Sequence, residues 1–274
     1  AQSRCNSEAN TVHVIGTGGT ISAGTEGATG ERKYLTARDL VAMVSSLKGK
    51  VAIEEEDFSR VGSSSMTPEM QFRLARRVQE LFKSRRDLAG VVITHGTDSL
   101  EETAFLVDLL YGGPRPVVFA AAQRAARLAD SDGPRNLEAA IRTALSPRAR
   151  EKGVLVVLND EIHAARYVTK THSVALESFQ SGRKGLLGTI DDGKVIFYNA
   201  PLNRLRIPAA RVEPSVELVR LAAGDRGKFI EYAVQTKSAG IVIEAIGRGN
   251  MPRPVYEAMV KARQAGVAVV VVSR

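Results

Sequence analysis

The chain has 274 residues, 44% hydrophobic and 25% charged, the balance of a globular protein that can bury a core. No apolar run approaches the ~20 residues that a membrane span needs, and the longest, 266–272 (GVAVVVV), has the length of a strand. The net charge of +8 is scattered among acids and apolar positions, as in 72–87, with no aromatic interleaving, so no nucleic-acid partner is expected.

The lone cysteine, Cys5, excludes an internal disulfide and a thiolate metal cluster. The four histidines, His13, His95, His163 and His172, lack the H-x-x-x-H spacing of a zinc site. Neither a metal nor a cofactor is expected.

The first predicted strand, TVHVI (11–15), runs into GTGGTIS (16–22), a glycine cluster flanked by Thr17 and Thr20. The polar, glycine-rich SAGTEGATGER (22–32) follows, with the composition of a lid or of a plain surface loop. Thr36 in TARD and Thr67 in TPEM read as helix N-caps, the first with an acid three residues on and the second with proline at the first helical position. GVVIT (90–94) is a continuously apolar strand that delivers HGTDSLEET, with Thr97 and Asp98. PVVFAA (116–121) delivers the stretch from Gln123. GVLVVL (153–158) and KVIFY (194–198) flank YVTKTHS, which carries Lys170.

Residues 200–214 hold Pro201, Pro208 and Pro214 with little periodicity and read as a linker. Beyond it, VELVRL (216–221), GIVIEA (240–245) and a final strand alternate with two helices. The expected fold is α/β: a larger N-terminal domain, 1–199, with a mostly parallel sheet flanked by helices, and a smaller C-terminal α/β domain, 215–274, incomplete at its end.

The glycines fit no phosphate cradle. Ile21 stands where a dinucleotide fingerprint needs its third glycine, and no G-K-[ST] is present. GSSSM (62–66) ends in methionine and fails as a nucleophile elbow. What remains is a threonine at the carboxyl end of the first strand, where open α/β sheets place their ligands. A hydroxyl is a weak nucleophile until a base takes its proton, and a lysine whose charged form is disfavoured by burial can do so. Thr97, Lys170 and Asp98 would form such a hydroxyl–amine–carboxylate set. Each alone is more often a cap or a solvated charge.

Together, TGGTI, THGTDSLEETAF, SDGPRNL, VTKTHSVALESFQS and GRGN resemble, in order, the bacterial-type L-asparaginases, from about Thr11 to Arg274. The resemblance implies hydrolysis of L-asparagine to L-aspartate and ammonia, with L-glutamine as a candidate second substrate. It casts Thr20 as the acyl-accepting nucleophile and Tyr34, on the lid, as its partner. Thr97, Asp98 and Lys170 take the family's second threonine, aspartate and lysine. Asp98 also binds the substrate ammonium, Gly62, Ser63 and Ser64 hold the α-carboxylate, and the backbone carbonyl of Ala122 contacts the amide. It implies a homo-oligomer, a tetramer built as a dimer of dimers, in which Asn250 serves a neighbour's pocket.

Three features depart from the family pattern. Gln123 and Ala125 replace a methionine and a proline, Ser64 replaces a frequent glutamine, and the chain stops at VVVVSR before a further segment, so a fragment is expected. The start without methionine points to a periplasmic or secreted protein, with the cytoplasm as the alternative. The competing functions are an asparaginase-like amidotransferase subunit and an inactive amino-acid-binding homologue; a dinucleotide oxidoreductase stands well behind.

Overall fold

The computed structural model describes residues 10–26 and 32–274. Cys5 and the centre of the expected lid, 27–31, lie outside the described residues. The chain divides into two compact units, Ala1–Ala210 and Arg211–Arg274.

The first unit opens with β1 (Thr11–Gly18), a short antiparallel pair β2 (Ala23–Glu26) and β3 (Arg32–Tyr34), and helix α1 (Ala37–Ala42). Then come β4 (Ala52–Val61), α2 (Pro68–Ser84), β5 (Leu88–Thr94), α3 (Leu100–Leu110), β6 (Val117–Ala120) and α4 (Gly133–Leu145). β7 (Val154–Leu158), β8 (Glu161–Ala164), the ribbon β9 (Thr169–Lys170) with β10 (Phe179–Gln180), β11 (Gly188–Asp191) and β12 (Lys194–Phe197) complete it.

The main sheet has the order β12-β11-β8-β7-β6-β5-β1-β4. β4, β1, β5, β6 and β7 run parallel, and β8, β11 and β12 extend the sheet antiparallel. Both faces are covered, which is why β5, β6 and β7 are buried throughout and, save for Thr94 at the end of β5, apolar. Val91 and Ile93 of β5 join one core, with Leu74, Val78, Leu100 and Val107 from α2 and α3. Val92 points the other way, into a second core with Leu40 of α1 and Leu137 and Ile141 of α4. The alternation of strand side chains thus splits one apolar run between two layers.

The expected caps are formed. Thr36 accepts the Asp39 N–H at 3.1 Å while Asp39 accepts the Thr36 N–H at 2.8 Å. Thr67 accepts the Met70 N–H at 3.3 Å, ahead of Pro68.

β4 was not expected. Its sequence, AIEEEDFSRV, reads as surface. It is an edge strand paired to β1, and Glu54 and Glu56 are met from outside the strand. Arg85 reaches Glu54 at 2.8 Å and Arg77 reaches Glu56 at 2.8 Å. His13 of β1 stands between the two glutamates, 3.4 and 3.0 Å away. A charged edge also discourages pairing with another chain.

The second unit is a parallel sheet, β13 (Val216–Arg220), β14 (Gly240–Ala245) and β15 (Ala268–Ser273), with helices α5 (Lys228–Gln235) and α6 (Arg253–Gln264). Ile230, Ile241, Ile243, Val255 and Ala258 form its core. Leu218, Phe229, Tyr232 and Val270 are exposed.

Candidate active site

The chain leaves β1 for β4 on one side and then crosses to β5 on the other. Such a reversal opens a crevice at the carboxyl ends of the two strands concerned. Thr20 follows β1 and Thr97 follows β5, so the switch point gathers both.

Two glycines bring these strand ends together. Gly19 has φ +80°, and a Cβ on it would lie 2.2 Å from the Gly96 Cα. A Cβ on Gly96 would lie 2.6 Å from the Ser63 Oγ. Backbone therefore meets backbone at a distance no side chain allows, and each glycine immediately precedes one of the threonines. The cluster ends in Gly-Thr rather than in a phosphate-cradling pattern because its glycines serve chain-to-chain contact.

Thr97 is buried and densely partnered. The Lys170 Nζ donates to its Oγ1 at 2.7 Å and to the Asp98 Oδ1 at 2.8 Å. The Gln123 Nε2 donates to the Ala175 carbonyl at 3.1 Å, which turns the Gln123 Oε1 toward Thr97 to accept its hydroxyl at 3.3 Å. Lys170 comes from β9, 73 residues along the chain from Thr97. Its side chain is 15% exposed, while that of Asp98 is 68% exposed and leaves its second oxygen to the solvent side.

Ser63 is buried against the same turn. Its Oγ accepts the Asp98 N–H at 3.1 Å, and its carbonyl accepts the Ser99 hydroxyl at 2.6 Å. Among the described residues, that leaves the Ser63 proton free to donate. Ser64 is exposed. Tyr34 reaches the site through its register: it pairs with Ala23, and the Leu35 N–H donates to the Ser22 carbonyl at 2.7 Å. The Tyr34 hydroxyl lies 3.5 Å from where a Gly62 Cβ would stand. Ala122 is buried two residues beyond β6, and Ile21 and Ala122 both border Gly133.

Thr20, Tyr34, Gly62, Ser63, Ser64, Thr97, Asp98, Ala122 and Lys170 thus all belong to the first unit. Asn250 belongs to the second, in the turn after β14, where its backbone pairs twice with Ile246 at 2.8 Å.

Sequence reasoning missed three residues here. His95 is fully buried; its Nδ1–H donates to the Gly96 carbonyl at 2.8 Å, and burial pushes it down to about 4 against the weaker upward pull of that bond. It is therefore neutral at pH 7. Asp132 accepts the N–H groups of Gln123 and Arg124 at 3.1 and 2.9 Å, shaping the turn after β6. Glu101 accepts the Lys170 main-chain N–H at 2.5 Å. A motif reading shows the letters HGTD and SDG but not which backbone group each side chain will hold.

Among the described residues, no group of histidine, cysteine, aspartate and glutamate could hold a metal ion. No helix among them is long and apolar enough to cross a membrane.

The switch point thus gathers two threonines and a paired lysine and aspartate at the carboxyl ends of the strands of an α/β sheet, where such folds place small ligands. The family model for the asparaginase N-terminal domain matches residues 11–203, and that for the glutaminase/asparaginase C-terminal domain matches 215–274. The chain belongs to the asparaginase family. It is 32% identical to L-asparaginase 2 of Bacillus subtilis (strain 168) over 94% of this chain and 71% of that one. It is also 32% identical to the glutaminase-asparaginase of Pseudomonas fluorescens biotype A, over 94% of this chain and 74% of the relative. The crystal structure of a probable cytoplasmic L-asparaginase from Campylobacter jejuni superposes with a TM-score of 0.87 at 32% identity, covering 97% of this chain and 83% of that one.

Proposed function

We propose that this protein hydrolyses the side-chain amide of L-asparagine to L-aspartate and ammonia, with L-glutamine as a second substrate, through Thr20 as nucleophile. The family supports the amide hydrolysis. The observation that carries the residue roles is the Lys170 amine, 2.7 Å from the Thr97 hydroxyl and 2.8 Å from the Asp98 carboxylate, one glycine contact away from Thr20.

The roles follow from chemistry. The Thr20 oxygen adds to the amide carbon as its hydroxyl proton is taken up by the relay, that proton is handed to the amide nitrogen, and the carbon–nitrogen bond breaks to release ammonia. Water then splits the ester and restores Thr20. Thr97, held by Lys170, serves as the proton relay, and Tyr34 flanks the nucleophile from the lid side. The free oxygen of Asp98 takes the substrate ammonium. The Ser63 proton, with Gly62 and Ser64 beside it, faces the α-carboxylate, and the Ala122 carbonyl faces the amide. Backbone N–H groups near the oxyanion are each worth roughly 3–4 kcal/mol of barrier.

The reading extends to a homotetramer in which Asn250 completes a neighbour's site. The exposed Leu218, Phe229 and Tyr232 of the second unit support an apolar surface available for association. Sedimentation at micromolar concentration tests it, a monomer being the contrary result. Where the enzyme works in the cell is a separate question. The Campylobacter relative is called probable cytoplasmic and a Haemophilus influenzae relative is called probable periplasmic, and cell fractionation decides between the two locations.

The direct test of function is ammonia release from asparagine and glutamine by the wild type and by Thr20→Ala. Release that survives the substitution removes Thr20 from the mechanism. Asparagine that raises the melting temperature without being consumed favours an inactive binding homologue instead.

A further inference from the structure

Lys170 stands on a strand of two residues. β9 pairs with β10, with Phe179 opposite Lys170, and the ribbon is separate from the main sheet. An isolated two-stranded ribbon is marginal in water. A second tie is needed to fix the main chain from which the amine reaches Thr97.

The carboxylate of Glu101 supplies one. It accepts the Lys170 main-chain N–H at 2.5 Å, and a bond to an ionised acceptor is of the stronger kind. Glu101 lies in the first turn of α3, three residues beyond Asp98. The same helix start therefore grips Lys170 twice: Asp98 at the side-chain nitrogen and Glu101 at the main-chain nitrogen. Ser99, between them, is committed to the Ser63 carbonyl at 2.6 Å. Glu102, the other acid of that turn, is exposed. Both glutamates complement the positive end of the helix, but only Glu101 crosses to β9.

We propose that Glu101 is a positioning residue for the reaction: it sets β9 against the start of α3 and so fixes the reach of the Lys170 amine to Thr97. The inference rests on the reading that Thr97 and Lys170 move a proton during turnover. A helix-end charge alone would be served equally by Glu102; a defined hydrogen bond to one backbone group is served only by Glu101.

The test compares Glu101→Ala, Glu101→Gln, Glu102→Gln and Lys170→Met in the full chain, by ammonia release from asparagine at saturating and limiting concentrations. Displacing a reacting group by about 1 Å can cost on the order of a hundredfold, so Glu101→Ala is expected to lower kcat roughly ten- to a hundredfold with KM within about threefold. Glu101→Gln keeps an acceptor oxygen and restores most of the rate. Glu102→Gln removes the same charge from the same turn and leaves kcat at the wild-type value. Should Glu101→Ala not fold, Glu101→Met fills the space without an acceptor and carries the same expectation. Full kcat in the acceptor-less variant while Lys170→Met is inactive overturns the role of Glu101 alone. So does a Glu102→Gln loss equal to that of Glu101→Ala, or a Glu101→Gln as slow as Glu101→Ala. Full activity of Lys170→Met overturns the proton-transfer reading itself, and the inference with it.

Discussion

Thr20 and Thr97 each stand one residue beyond a pair of touching glycines, yet they are held in opposite ways. Thr20 is half-buried in a single turn, and among the described residues its hydroxyl has no hydrogen-bond partner; its place is set by the backbone of Gly18 and Gly19. Thr97 is buried and its hydroxyl is shared between Lys170 and Gln123. The difference suits a division of labour. On the proposed roles, the group that forms and breaks a bond to substrate is left unpartnered, and the group that only passes a proton is fixed at its donor and acceptor sites.

The comparison is broken most directly by removing each hydroxyl. Thr20→Ala and Thr97→Ala should both lower kcat by about a hundredfold to ten-thousandfold. Their stabilities should part company. Thr97→Ala strands the partners of a buried hydroxyl, at a cost of about 1–3 kcal/mol. Thr20→Ala should change stability by less than about 0.5 kcal/mol, as substitutions away from such features do. Equal melting temperatures for the two variants would contradict the contrast.

Next is the glycine contact. Gly19→Ala puts a Cβ 2.2 Å from the Gly96 Cα and holds φ at +80°. Both atoms opposed are backbone, so relief requires the ends of β1 and β5 to move apart. Activity should fall on the order of a hundredfold, with a strain cost of about 1–3 kcal/mol. Wild-type turnover in this variant would show that the two threonines tolerate separation.

The pH dependence of stability sharpens the Thr97 side. His95 supports Gly96 as a neutral ring, with its ordinary value of 6.5 lowered to about 4. Because the folded value is depressed, the unfolded chain binds the proton first as pH falls. Stability is therefore complete above about 6.5 and is lost progressively between 6.5 and about 4, by up to about 3 kcal/mol. The stability deficit of His95→Gln relative to wild type should shrink by a similar amount over that window in chemical denaturation. A deficit that stays constant with pH would place the His95 contribution elsewhere.

The smallest effect belongs to Gln123→Met. It removes one weak acceptor from Thr97 and the donor to the Ala175 carbonyl, so a loss of about 1 kcal/mol is expected. A rate change beyond about tenfold, or 1.4 kcal/mol of barrier, would give Gln123 a larger part than its 3.3 Å contact suggests.

The contrast also explains what the sequence could and could not reveal. β5, β6 and β7 are legible because burial on both faces demands unbroken apolar runs. Thr20, Thr97 and Lys170 are legible as members of motifs. β4 is not, because two of its four consecutive acids at 54–57, Glu54 and Glu56, take their partners, Arg85 and Arg77, from elsewhere in the chain. Glu101 is hidden for the same reason: its partner is a main-chain N–H 69 residues away, which no local pattern announces. Gln123 stood out in the sequence only as a departure from a pattern, and the fold is what turns it toward Thr97. Strand periodicity reports burial, whereas long-range polar ties depend on the finished topology.

The division of labour between the two threonines is tested most directly by acid-quenching the enzyme within milliseconds of mixing with asparagine and mapping the modified peptide by mass spectrometry. The account predicts a β-aspartyl ester on the Thr20 hydroxyl. An ester carried by Thr97, with Thr20 unmodified, would contradict it.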